Sequence, residues 1–498
     1  MEINITSRET IKPLLPTSAE CKTLKLCLFD VLQRNTYFPL ILFYNKTTNL
    51  QGFSNVSTDQ LKKSLSEALT IFYPLAGRRC DYFSIDCNDE GVIFMEASVN
   101  TTMEVLLKPP NLEQLNQLLP CEPIKCHPHQ EVLPQFLVQV NKFQCGGIAI
   151  GLCNLHILLD AFSCSAFLKT WFSICKGSKG EISRPNFSSA ASAFPPVIPT
   201  SVRPCIFNVI EENCTTRRFL FDHKAMNELK SMSTSDETKP TRYQVVSSFI
   251  SKHMIVAIKE ECCDKTRPAV ALHIGDIRKR MGEPFIEGAV GNLVWPALVF
   301  VEGVNKNTKI IDLVEILKKG LGKLTKDVFL KVQNDPSFLW NGEYAELMLE
   351  GIPTNETISL VFTSWVNIGF NEVDFGCGNP FWLAYGGGTK VTTSNSVILM
   401  ETREGIEAWI TMTEKHITIL EQDVDFLRFA FLNPSNTASC KHHRESKPIF
   451  KIANPDHAEY TQLCRLTRRS NQQALLLKKP QVFDHHGQSW FLELFLSL

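Results

Sequence analysis

Apolar and polar positions alternate in two rhythms along the chain. Ser57-Thr58-Asp59-Gln60 reads as a capping box, and Leu61, Leu65, Leu69 and Phe72 then recur about every fourth residue, predicting an amphipathic helix that ends before Pro74. Phe136, Val138 and Val140 alternate as in a strand. Cys145-Gly146-Gly147 makes a turn, and the apolar run 148–155 reads as a second, more buried strand. Helical spacing returns over 161–174, with Asp160 at the N-cap position, so His156 is expected on a strand-to-helix connection.

Residues 176–204 are rich in Gly, Ser, Ala and Pro without a period, as in a surface crossover between two halves. Beyond it the pattern predicts strands over 217–221, 269–274, 293–301, 358–363, 397–401 and 406–412. Helices are predicted over 243–258, 310–332 and 413–429. No internal repeat is visible, and both halves mix helix and strand. From Lys441 to Leu498 the apolar residues lose their period, and nine Lys/Arg face five Asp/Glu. This tail is expected to be separate from the body, as an extension, a disordered appendage or a product of an imperfect gene model.

Composition adds exclusions. With 44% hydrophobic and 21% charged residues, 498 residues can bury sizeable cores, whereas a disordered chain would be poorer in apolar residues. A net charge of -1 supplies no global field for nucleic acid or an anionic membrane. The longest apolar stretch, 289–301, is interrupted and too short for a span. The opening MEINITSRETIKPLLPTS has neither the basic nor the apolar region of a signal peptide, so the 17 cysteines are expected as thiols in a cytoplasmic protein. No C-x-x-C spacing occurs, and no metal is expected.

Two motifs are decoys and a third is absent. Asp374-Phe375-Gly376 lacks the other kinase signatures, Gly386-Gly387-Gly388-Thr389-Lys390 is followed by Val391 rather than completing a phosphate loop, and no G-x-S-x-G is present. What remains is His156-Ile157-Leu158-Leu159-Asp160. Composition alone yields roughly half of one H-x-x-x-D match by chance. On spacing alone the pair is equally a satisfied core histidine behind a capping aspartate or a catalytic base.

Read together, distant segments resemble the plant BAHD acyl-CoA-dependent acyltransferases over almost all of residues 1–435. The ordered matches include Phe72-Tyr73-Pro74-Leu75-Ala76-Gly77-Arg78, His156 to Asp160, Arg278-Lys279-Arg280-Met281, Gly291-Asn292-Leu293, Thr363-Ser364-Trp365, Asp374-Phe375-Gly376-Cys377-Gly378 and Gly405-Ile406-Glu407-Ala408-Trp409. Their wording is most similar to the alkaloid O-acetyltransferase branch. The resemblance implies an α/β fold of two chloramphenicol-acetyltransferase-like domains with mixed sheets and an active-site channel at their interface. The expected division is 1–175, to which a segment around 358–400 returns, a linker at 176–204, a second domain at 205–435 and the atypical tail 436–498.

The activity implied is transfer of an acyl group from acyl-CoA, expected to be acetyl-CoA, to a hydroxyl of a small alkaloid by a monomer, with no bound cofactor and no acyl-enzyme. Malonyl or another acyl group, or a diverged binding protein, is the rival expectation. His156 is implied as general base, Asp160 as a structural partner of Arg278, Thr363 as a weaker oxyanion donor, and Asp374, Phe375, Gly376 and Gly378 as a structural loop. Three departures stand out. Ala161 replaces the usual Gly, and Cys377 the usual Trp, which should loosen its loop. Asn367 replaces a common Arg and, with the apolar Ile157-Leu158-Leu159, is expected near enough to the channel to alter acceptor choice.

Overall fold

A computed structural model describes residues 1–46, 57–125, 127, 132–178, 182, 184–197, 214–262, 264–283, 285, 288–340, 357–387 and 395–436. The tail from Lys441, parts of the 176–204 crossover, and Gly388 to Lys390 lie outside these residues.

Two sheets carry the fold. The first has six strands in the order Ile3–Ile11, Val92–Val99, Phe136–Phe143, Ile148–Leu155, Tyr37–Tyr44 and Trp382–Ala384, all antiparallel neighbours except the parallel pair Val92–Val99 and Phe136–Phe143. The second has seven, in the order Val294–Val301, Ala269–Asp276, Ile358–Ser364, Ser396–Glu401, Gly405–Thr413, Cys214–Asp222 and Phe431–Leu432, with parallel pairing on both sides of Ile358–Ser364. Of the segment 358–400, only Trp382–Ala384 joins the first sheet. Its flanking strands Ile358–Ser364 and Ser396–Glu401 belong to the second.

The helix Thr58–Ile71 begins at Ser57, whose hydroxyl accepts from the Asp59 amide at 3.2 Å. The reciprocal half of the expected capping box is not made: Gln60 instead donates 2.7 Å to the Cys175 carbonyl. That bond ties the helix to its neighbour Ala161–Cys175, and Trp171 adds a second, its indole N–H shared between the Leu61 carbonyl and the Ser64 hydroxyl. Leu61, Leu65, Leu69 and Phe72 face the core of the first sheet, as their spacing requires.

Two helices are shorter than their patterns. The 310–332 run breaks into Ile310–Gly322 and Lys326–Asn334, because Thr325 is extended and Gly320 and Gly322 weaken the preceding turn. Gly320 is there for contact: a Cβ would lie 2.6 Å from Val299 Cγ2 on the strand beneath. The 413–429 run breaks at Asp423, which caps Val424–Leu427 by accepting from the Asp425 and Phe426 amides and takes His253 Nδ1 at 2.6 Å. Among the described residues, no helix is long and apolar enough to cross a membrane.

Candidate active site

The turn carrying His156 is held from three sides. The Leu155 amide donates to the Gln135 carbonyl at 2.9 Å, the His156 amide to the Thr36 carbonyl at 3.0 Å, and the Asn154 side chain to the Leu159 carbonyl at 3.2 Å. Phe38 meets the imidazole edge-on, with centroids 4.3 Å apart. Asn292 completes the hold, its side-chain nitrogen donating to the His156 carbonyl at 2.8 Å and to Asp30 Oδ1 at 2.9 Å. Asp30 is buried and also accepts from the Asn292 and Cys27 amides. Burial pushes its carboxyl up, and these bonds oppose the rise.

With both side-chain hydrogens used, Asn292 can offer the imidazole only its oxygen. That Oδ1 and His156 Nδ1 are both buried and have no hydrogen-bond partner among the described residues. The imidazole keeps a partly exposed edge toward a cavity, yet desolvation lowers it below its usual 6.5; its own backbone, Asp160 and Asn292 pull the other way. A neutral ring is therefore favoured.

Asp160 caps the helix Ala161–Cys175, Oδ1 accepting from the Ser163 amide at 2.8 Å. Its remaining capacity goes to Arg278, which reaches Oδ2 at 2.7 Å and Oδ1 at 3.2 Å, and to the Leu293 amide at 3.1 Å. Arg278 is 1% exposed and donates further to Asp276, the Ser163 hydroxyl, and the Ala289 and Gly291 carbonyls, with Phe162 against its face. Burial opposes the guanidinium charge, but Asp160 and Asp276 outweigh it and hold its pKa above the ordinary value. Neither the cation nor the carboxylate is free for a reacting group.

His156, Asp160, Arg278 and Thr363 all line one cavity of about 220 Å³, whose walls come from both sheets: Phe38 from the first, Thr363 and Ile398 from the second. Asp374 to Gly378 do not reach it. Asp374 Oδ1 instead accepts from the Gly376 and Gly378 amides, both at 2.8 Å, and Oδ2 pairs with Lys176 at 2.9 Å. Burial favours the neutral acid, but these contacts hold the Asp374 carboxyl below the usual range. Gly376 and Gly378 have φ of 103° and 86°, a region that glycine enters without strain, and Phe375 packs edge-on against Trp171 at 4.7 Å.

Three expected positions are corrected. Asn367 is exposed and does not line the cavity; its φ of 62° suits Asn better than a long side chain. Of Ile157, Leu158 and Leu159, only Leu159 reaches the cavity wall. Sequence reading passed over Asp30 and Phe38. Asn292 stood in a quoted motif beside Arg278, the one signal that could have found it.

A family model described as the Transferase family matches residues 1–427. The chain belongs to the BAHD acyltransferase family. It is an acyltransferase. Relatives include akuammiline synthase 2 of Alstonia scholaris, 35% identical over 447 residues, covering 87% of this chain and 98% of that protein. A limonoid 21-O-acetyltransferase of Melia azedarach is 34% identical, covering 87% of this chain and all of its own, and stemmadenine O-acetyltransferase of Catharanthus roseus is 33% identical, covering 85% and 97%. The crystal structure of vinorine synthase superimposes with a TM-score of 0.71 at 31% identity, covering 86% of this BAHD chain and 98% of its own. Acyl-CoA is the family's acyl donor. Among the described residues of this member, no cluster of three or more His, Cys, Asp or Glu side chains could hold a metal ion.

Proposed function

We propose that the protein transfers an acetyl group from acetyl-CoA to a hydroxyl of a plant alkaloid of the monoterpene indole type, with His156 as general base and no acyl-enzyme. The carrying observation is an imidazole kept neutral by burial at the edge of a cavity walled by both sheets. An alcohol is a poor nucleophile near neutral pH until a base takes its proton as it attacks. In the Nδ1–H tautomer, the Nε2 lone pair accepts the alcohol proton while the alcohol oxygen bonds the thioester carbon. Thr363 is assigned to support the tetrahedral oxyanion. Collapse then breaks the carbon–sulfur bond, and the imidazolium returns the proton to the departing thiolate.

Akuammiline synthase and stemmadenine O-acetyltransferase among the relatives support an alkaloid acceptor. A second reading is a neutral alcohol of the limonoid class, which the Melia relative supports. The cavity favours it in one respect: among its described lining residues the only carboxylates are Asp160 and Asp276, and both bind Arg278, leaving a protonated amine no carboxylate of its own. The proposal includes a cytoplasmic monomer whose working part is 1–175 and 205–435, with the tail from 436 dispensable.

Acetyl-CoA consumption measured with alkaloid and limonoid alcohols tests the reading, with malonyl-CoA as competing donor. Turnover of either alcohol class by the full chain, lost in His156→Ala, is the expected result. Equal turnover by His156→Ala sinks the base assignment, and preference for malonyl-CoA sinks the acetyl donor.

A further inference from the structure

Tyr385 immediately follows Trp382–Ala384, the short strand that the later part of the chain lends to the first sheet. Its ring lies edge-on to two indoles, Trp365 at 5.9 Å and Trp409 at 6.3 Å between centroids, and only 5% of the residue is exposed. The residue lines the same cavity as His156. Its hydroxyl has no hydrogen-bond partner among the described residues, and burial alone acts on its ionisation, raising it. The phenol therefore keeps its proton and is a donor at any physiological pH. With the cavity before it and no partner among the described residues, this donor is left for a ligand to engage.

The surrounding wall narrows what that ligand can be. Trp365 packs edge-on against Phe370 at 5.6 Å, and Ile368 lies beside them on the cavity. Broad apolar faces fit a fused-ring skeleton. An acetyl group, by contrast, carries no oxygen except the carbonyl that reacts.

We propose that the Tyr385 hydroxyl selects the acceptor, donating a hydrogen bond to a carbonyl or ether oxygen on its polycyclic skeleton, away from the hydroxyl that is acylated. The inference rests on the reading that the acceptor is a polycyclic alcohol. An acceptor bearing that oxygen engages the donor; one lacking it fills the cavity and leaves the donor unpaired, and is discriminated against, the stronger of the two forms of recognition a pocket can use.

The test compares full-length protein with Tyr385→Phe on two polycyclic alcohols identical except for one ketone. Acceptor binding is followed by tryptophan fluorescence, and turnover by release of free CoA. The wild type is expected to bind the ketone-bearing alcohol about tenfold or more tighter, and Tyr385→Phe to erase that preference by raising KM for the ketone-bearing alcohol about ten- to hundredfold. Changes in kcat and in KM for acetyl-CoA should stay within about twofold, because the lost bond is made in ground and transition states alike. The melting temperature of the unliganded variant should be unchanged or higher, since among the described residues the hydroxyl has no partner to lose. Survival of the ketone preference in Tyr385→Phe overturns the inference, as does equal wild-type affinity for the two alcohols. An equal fall in kcat for both alcohols would instead place the hydroxyl at the thioester, and a lowered melting temperature would reveal a structural bond; either result also overturns it. Fluorescence needs no turnover, so a protein that binds the alcohols and acetylates neither refutes the acetyl-transfer reading while the ketone preference is still read.

Discussion

In its proposed role as base, His156 depends on a fold that disfavours charging of its imidazole. On that assignment its lowered pKa should place the acid limb of kcat/KM below the usual 6.5, and a pH–rate profile with acetyl-CoA checks this. Replacing it with Ala should reduce kcat about 10²–10⁴-fold, with the melting temperature little changed. The same burial carries a stability cost in acid. Between the folded value and 6.5 the unfolded chain binds the proton first, so stability falls as pH drops through that window. His273, hydrogen-bonded to Tyr243 at 2.7 Å and pushed down to about 3 by burial, extends the effect to lower pH. Asp160 acts differently. Asp160→Ala strands Arg278 as a buried, partly compensated cation and should cost about 3–5 kcal/mol in denaturant unfolding, with activity falling as the folded population does.

At the scale of elements, Ile148–Leu155 delivers His156, and its middle is tightly covered. A Cβ on Gly151 would stand 2.1 Å from the Leu118 carbonyl oxygen, so Gly151→Ala should destabilise by about 1–3 kcal/mol, measured by thermal or urea unfolding. This strand was legible because the alternation of its partner and the Gly-Gly turn flank one apolar run. Tyr37–Tyr44 was not, since Pro39 interrupts a run with no alternation; the proline is tolerated because Trp382–Ala384 pairs only with Ile41, Leu42 and Phe43 and leaves Pro39 beyond its end. The helix breaks at Thr325 and Asp423 escaped because apolar spacing continues across them. His156 and Asp160 could be picked out by spacing, and Arg278 by resemblance. Asp30 and Asn292 bond across 262 residues of sequence, and no local pattern reports such a pairing.

Across the whole molecule, one buried cluster joins the two sheets. Trp382 pairs through its backbone with Phe43 in the first sheet, while its indole N–H is shared by both Glu407 oxygens at 3.2 Å in the second. Arg218 donates to Glu407 at 2.7 Å, lies over the Trp382 ring at 5.1 Å, and also reaches the Pro434 carbonyl. Burial raises the Glu407 carboxyl, and Arg218 and Trp382 restrain the rise. Glu407→Ala leaves Arg218 buried without its counter-ion and should cost about 3–5 kcal/mol, read from denaturant midpoints. A chain ending after Asn436 retains this cluster and should match the full chain in turnover, whereas one ending before Pro434 should be less stable. The loaned strand also imposes an order on synthesis. When the ribosome has made Tyr37–Tyr44 and its partner Ile148–Leu155, the outer edge of the first sheet has no neighbour until residue 384 emerges more than 200 residues later. The nascent chain therefore carries that apolar edge uncovered while nearly half of its sequence is made, an exposure of the kind that unpaired strand edges bring to slow-forming sheets.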